Sequence, residues 1–161
     1  MLNVTKRDGT LEPINIDKIN KWVEWACEGT NASWSDIATR AQVFFYEGIP
    51  TSDIQTMLIK ACEHDINPWD ISNLRVAAKL LLSDLRKKVY GEYTPHSILD
   101  QIWFGQTIGI YDTESAYNLL DQYSHQDFEE LEDIIDHSRD ELHPYCGLQT
   151  LVDKYLAQNR A

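Results

Sequence analysis

The first hydrophobic positions alternate with polar ones: Leu2 and Val4, then Ile14 and Ile16, with Asp8-Gly9 between the two runs. Alternation around a turn signal predicts a β-hairpin. The apolar pairs set an expected register, Val4 opposite Ile14 and Leu2 opposite Ile16, which leaves Asp8-Gly9-Thr10 as the loop and places Lys6 opposite Glu12. That register puts Thr10 at the last loop position, where three-residue hairpin loops prefer glycine. The period then lengthens to that of a helix. Asp17 is the expected cap for Ile19, Trp22, Val23 and Ala26, and Gly29 the expected stop. Ser35 or Asp36 opens a second predicted helix ending near Gly48, and Ser52 with Gln55 forms an expected capping box for a third. Asn67-Pro68-Trp69-Asp70 starts a fourth, carried by Ile71, Leu74, Ala78, Leu81 and Leu85, and closed by basic Arg86-Lys87-Lys88 before Gly91. Further helices are predicted after Thr94-Pro95, after Ser124 and over residues 147–156. The pattern shows neither repeats nor a low-complexity linker.

Composition narrows the class. A chain of 161 residues with 43% hydrophobic content can bury its own core. No apolar run approaches the length of a membrane span, and no signal-peptide pattern opens the chain, so the expected compartment is the cytosol, without a membrane partner. The formal charge of -12 is uneven. Residues 1–91 hold 11 Lys+Arg against 12 Asp+Glu, a net of -1, whereas residues 92–161 hold 3 against 14, a net of -11. The step suggests two units, and it makes nucleic acid an unsuitable partner for the second. Cys27, Cys62 and Cys146 are odd in number and widely spaced, and read as small apolar residues rather than a redox or zinc pair. The sequon Asn31-Ala32-Ser33 would matter only in a secreted protein.

Charge also points to candidate chemistry. Lys6, Arg7, Lys18 and Lys88 fall at the hairpin, at the start of the first helix and at the end of the fourth, the places where a phosphate site could be assembled. The plain alternative is that each is solvated or complements a helix dipole. Lys18 does not suit that alternative, because the first turn of a helix already carries partial positive charge. The common phosphate loops GxxxxGK[ST] and GxGxxG are absent, as is HExxH, and His137 and His143 do not share a helix face. No Ser, His and Asp set stands in a nucleophile motif. The Glu129-Glu130, Glu132-Asp133 and Asp136 cluster reads as a solvated helix face, and the five tryptophans as core.

The stretches VTKRDGTLEPINIDKI, EGIPTSDI and LRKKVYG, in that order, resemble the ATP-cone, the regulatory module at the N-terminus of many ribonucleotide reductase large subunits. IDHSRD and KYLAQNR resemble the helical region after the cone in class I, aerobic enzymes. The resemblance implies a mainly α fold with a small β cap (α+β): a hairpin-derived, three-stranded cap over a four-helix bundle, followed by further helices. It divides the chain into a cone, residues 1–91, and an acidic helical segment, residues 92–161, leading toward a catalytic barrel. It also implies an allosteric effector, ATP or dATP with magnesium. Val4, Lys6, Arg7, Glu12, Asn15, Lys18, Ile19, Thr51, Ile54, Gln55 and Lys88 would line its site, with Glu12 and Asn15 toward base and sugar and the lysines toward phosphate. Many bacterial members have histidine where this chain has Gln55, and a neutral amide cannot supply an imidazolium's charge, so weaker discrimination of ATP from dATP is expected. The implied partners are the remainder of the large subunit and the radical-generating small subunit, in an oligomeric enzyme. The family's reducing cysteines lie in the barrel and do not match Cys27, Cys62 or Cys146, so regulation rather than catalysis is expected of this stretch. The alternative reading is an interaction module that keeps the cone without its ligand and docks its acidic tail on a basic surface. The cone-containing transcriptional repressor is set aside because its zinc-ribbon cysteines are missing.

Overall fold

The structure is a computed structural model that describes residues 2–64, 68–109 and 119–156; Asn67 of the expected fourth cap and the end of KYLAQNR lie outside them. Strands β1 (Asn3–Thr5) and β2 (Leu11–Pro13) form the predicted antiparallel hairpin. Its register differs from expectation. Val4 pairs with Glu12, and the loop is Arg7-Asp8-Gly9, closed by Lys6 N–H donating to Thr10 O at 2.8 Å and Gly9 N–H to Lys6 O at 3.0 Å. Gly9, at φ 85°, thereby takes the left-handed last position that Thr10 would have occupied with strain. The shift is two residues, so every side chain keeps its face. Lys6 still meets Glu12, now diagonally, at 3.0 Å.

A third strand, β3 (Ile49–Pro50), runs parallel to β1 and gives the order β2-β1-β3. Gly48, at φ 77°, turns the chain into it, and Glu47 accepts from the backbone and side-chain nitrogens of Asn3 at 3.1 and 2.6 Å. These bonds hold the Glu47 carboxyl below its usual range. β1 is therefore the central strand, and Val4 and Ile49 point into the helical core.

Helix α1 (Ile16–Cys27) begins earlier than Asp17 predicts. Asn15 is the cap, its Oδ1 accepting from Lys18 N–H at 2.9 Å, and Asp17 moves into the first turn, where its charge suits the dipole. Helix α2 (Trp34–Gln42) is capped by Ser33 rather than Ser35 or Asp36 and ends well before Gly48. Helix α3 (Thr51–Glu63) starts directly from the strand at Pro50, without the expected capping box, because Gln55 is turned inward. Helix α4 (Ser72–Tyr90) is introduced by Asp70, which accepts from Ser72 N–H at 2.9 Å, and is closed by left-handed Gly91.

The four helices and the sheet share one core around Val23, Ile37, Ile49, Leu58, Val76 and Leu80. Trp22 and Trp25 stack at 4.6 Å on its edge. Trp34, Trp69 and Trp103 are exposed instead of joining the core.

Helix α5 (Ile98–Thr107), capped by Ser97 rather than Thr94, packs with α6 (His125–Ile134), whose Ser124 and Asp127 form a full capping box. Ile102 and Phe128 make a small second core between them, while Leu131 and Ile134 stay exposed. A 3-10 helix (His137–Leu142) and helix α7 (Tyr145–Thr150), extended by a π turn (Leu151–Tyr155), bring the chain back to α4. Leu148 joins the main core, and Tyr145 donates its hydroxyl to Glu63. Arg86, 7% exposed, donates to Asp140 Oδ2 at 2.8 Å and His137 O at 3.0 Å and lies over Tyr93. One residue of the basic last turn thus anchors the acidic segment.

Leu148→Ala should lower stability by about 2–5 kcal/mol, the usual cost of emptying a buried leucine site. Urea unfolding followed by far-UV circular dichroism checks this, and an unchanged midpoint would show that α7 contributes nothing to the core.

Candidate functional site

The hairpin tip lies against the last turns of α4. Arg7 reaches across: Nη1 donates to Lys87 O at 2.6 Å, and Nη2 lies 3.6 Å from Asp84 Oδ1. It thereby becomes a second donor to this carbonyl, which also accepts from Gly91 N–H at 3.1 Å in the helix-closing turn. Lys88 Nζ lies 2.6 Å from the other oxygen of Asp84, one turn back on the same helix. Asp84 itself is buried, at 5% exposed, so two cations share one desolvated carboxylate.

Lys87 points elsewhere. Its ammonium sits 3.8 Å from the centre of the Trp22 ring, a cation–π contact. Burial pushes its pKa down, Arg7 and Lys18 push in the same direction, and Asp84 opposes them. Arg7 and Lys18 are therefore close enough to repel Lys87, and Asp84, already shared between Arg7 and Lys88, offsets them only in part. Such an arrangement suits an anion with several charges.

The other expected residues surround this cluster or brace it. Lys6 is paired with exposed Glu12, an ion pair of small net worth. Asn15 and Lys18 are the cap and first turn of α1, with Ile19 half-buried behind them. Val4 and Ile54 are buried in the core, and Thr51 is the half-buried first residue of α3. Gln55 is buried and fully engaged: Nε2 donates to Leu80 O at 2.9 Å, and Oε1 accepts from Trp22 Nε1 at 3.2 Å. It fixes the indole on which Lys87 rests.

Three residues were missed from the sequence: Trp22, Asp84 and Lys87. Their spacing carries a signal, because Lys18 and Trp22 are one turn apart on α1 and Asp84 and Lys88 one turn apart on α4. Which of two adjacent lysines faces the hairpin depends on the packing of α4.

One concavity competes with this assignment, and a second adjoins the site at Asn15. The first, of about 440 Å³, lies among Ser33, Asp36, Arg40, His64, Asp70 and Ser72, where α2 and α4 begin and α3 ends. It carries two carboxylates and no lysine, and Arg40 already donates to Ala61 O at 2.9 Å. The other, an open groove of about 450 Å³, follows Pro13 to Asp17. For an anion of several charges the electrostatic attraction favours the cation cluster over a hollow lined by carboxylates. Among the described residues no group of His, Cys, Asp and Glu is arranged to hold a metal ion, and no helix is long and apolar enough to cross a membrane.

A family profile described as ATP cone domain matches residues 2–88. Over 160 residues, 99% of this chain, the sequence is 40% identical to ribonucleoside-diphosphate reductase 1 subunit alpha of Escherichia coli (strain K12). It is 41% identical to the subunit alpha of Haemophilus influenzae and 36% identical to that of Enterobacteria phage T4, again over 160 residues. The chain spans about a fifth of the length of these relatives, 20% of the first and 21% of the other two.

Thiol chemistry is quiet. Burial pushes the Cys27 and Cys62 thiols up, to about 11 and about 12, whereas Cys146 is exposed. At about pH 8 a disulfide reagent should therefore modify Cys146 quickly and the other two only after denaturation, since the thiolate is the reactive form. Fast reaction of all three in the folded chain would contradict this burial.

Proposed function

Because the chain belongs to the ATP cone domain family, we propose that it is the activity-regulating, nucleotide-binding region of a ribonucleoside-diphosphate reductase alpha subunit. The observation that carries the reading is the convergence of Arg7, Lys18 and Lys87 at the junction of hairpin, α1 and α4. The effector is ATP or dATP. Its phosphates meet these three cations together with Lys6 and Lys88, and its base and sugar meet Glu12 and Asn15 against an apolar floor of Val4, Ile19 and Ile54, with Thr51 at the rim. Gln55 acts from behind, by holding Trp22 in place.

Magnesium enters with the nucleotide rather than on a protein ligand, since Glu12 and Asp84 are both paired with cations. Metal bound chiefly through phosphates is usual for Mg²⁺.

On this reading residues 1–91 form the effector-binding cone and residues 92–161 the acidic helical segment that joins it to the rest of the large subunit. Reduction of ribonucleotides belongs to that remainder, with the radical-generating small subunit as the further partner in a cytoplasmic, oligomeric enzyme. Regulation works by population shift: an effector favours the arrangement whose site it fits better, and by no more than the difference in affinity. A second reading, docking without nucleotide, draws on the net -11 of residues 92–161 and on the exposed Trp103 and Phe104 among them. Partner binding that weakens in moderate salt would favour it, and salt-insensitive binding would count against it.

Calorimetric titration with ATP and with dATP tests the first reading. Saturable binding is expected, weakened about tenfold or more by Arg7→Gln or Lys87→Gln, as for loss of a desolvated charge partner. No binding of either nucleotide at millimolar concentration would overturn it.

The pH dependence follows from Lys87. In the empty site its ammonium is disfavoured, and a phosphate restores it, so binding takes up protons. Affinity should fall as pH rises through the lowered Lys87 value toward 10.5, the ordinary lysine value, and Lys87→Gln should flatten that fall. Titrations in buffers of different ionisation enthalpy measure the uptake directly.

A further inference from the structure

Among the described residues Asp84 is the one buried carboxylate beside these cations, and the nucleotide reading gives it no role. It sits in the penultimate turn of α4, where the helix dipole disfavours negative charge. At 5% exposed it has lost most of its hydration. Its Oδ2 is held by Lys88 at 2.6 Å, while Oδ1 is fully buried, makes no hydrogen bond and faces the Arg7 guanidinium at 3.6 Å. A carboxylate with an unsatisfied oxygen is costly to keep in such a place. Its partners, moreover, are two of the cations that a phosphate chain would need.

We propose that Asp84 is an internal anion that occupies Arg7 and Lys88 in the empty site and so sets the affinity of the cone for the polyphosphate of its nucleotide. This rests on the nucleotide-binding reading above. The carboxylate lowers the repulsion among Arg7, Lys87 and Lys88 while no ligand is present. When a triphosphate arrives, Asp84 either yields its cations or remains as a like charge beside the phosphates. Both routes weaken binding, and both weaken it more for each added phosphate charge. The group therefore discriminates by phosphate number and leaves recognition of base and sugar unaffected.

The test is calorimetric titration of wild type and Asp84→Asn with ATP, inorganic tripolyphosphate and adenosine, in magnesium and in EDTA. The amide keeps the shape of the side chain and removes its charge. ATP and tripolyphosphate should bind about tenfold more tightly to Asp84→Asn, the scale of a close like-charge contact removed, with adenosine unchanged. The empty variant should also melt at a lower temperature than wild type and recover on adding ATP, because its cations are then unshielded. Asp84→Ala serves as a second variant should the amide disturb folding, with the same direction expected.

Equal affinity for ATP in wild type and in both variants would overturn the proposal while leaving the nucleotide site intact. Weaker binding in magnesium but not in EDTA would also overturn it, and would make Asp84 a metal ligand. Binding by the variants alone would support the internal anion and correct the function proposed for the wild-type chain. Absence of binding by every form would dismiss both.

Discussion

Like charges brought to one end of a helical bundle must be held there against their own repulsion, and the rest of this structure is arranged around that constraint. A pair of unit charges about 4 Å apart near a protein surface repels by roughly 1–4 kcal/mol, depending on solvent exposure. Arg7, Lys18, Lys87 and Lys88 are positioned by three separate elements, so the repulsion opposes the packing of hairpin, α1 and α4 on one another. Three groups counter it: the Asp84 carboxylate, the Lys87 carbonyl at the helix end, which also accepts from Gly91 N–H, and the face of Trp22. Hydrophobic burial supplies the remainder, through Val4 and Ile49 beneath the sheet.

The sheet is small but well tied. β1 lies between β2 and β3, and the bonds from Asn3 to Glu47 fasten its outer end while Arg7 fastens the tip to α4. A ligand that engages the tip is thereby linked to α4 within a few ångströms. α4 in turn holds the acidic segment, because Arg86, next to Lys87, bonds Asp140 and the His137 carbonyl, and Leu148 completes the core. Adjacent residues of one helical turn thus face the candidate effector site and the acidic segment.

Much of the architecture was legible in the chain. Alternation gave the hairpin, helical periodicity gave the helices, and Gly91 marked the end of α4 as expected. What failed were choices between neighbours. The expected register followed apolar pairing at the expense of the loop's glycine preference, whereas the observed loop, Arg7-Asp8-Gly9, places Gly9 at the left-handed position. Asp17 was read as the cap, whereas the short strand ends at Pro13 and leaves Asn15 to start the helix. Gln55 looked like part of a cap, yet its amide is consumed inside the core. Lys87 was not singled out beside Lys88, because only tertiary packing separates their surroundings, the indole of Trp22 for Lys87 and the carboxylate of Asp84 for Lys88. The docking of residues 137–148 on α4 had no local signal, since it rests on one buried arginine and one leucine far apart in sequence.

The most direct test of the account is amide hydrogen exchange of the chain with and without saturating ATP. Protection should rise in the hairpin around Arg7, in the first turn of α1 and in the last two turns of α4, while the hollow among Ser33, Asp36, His64 and Asp70 stays unchanged. Protection confined to that hollow, or none anywhere, would contradict the claim that the cations at the hairpin and the end of α4 form the site.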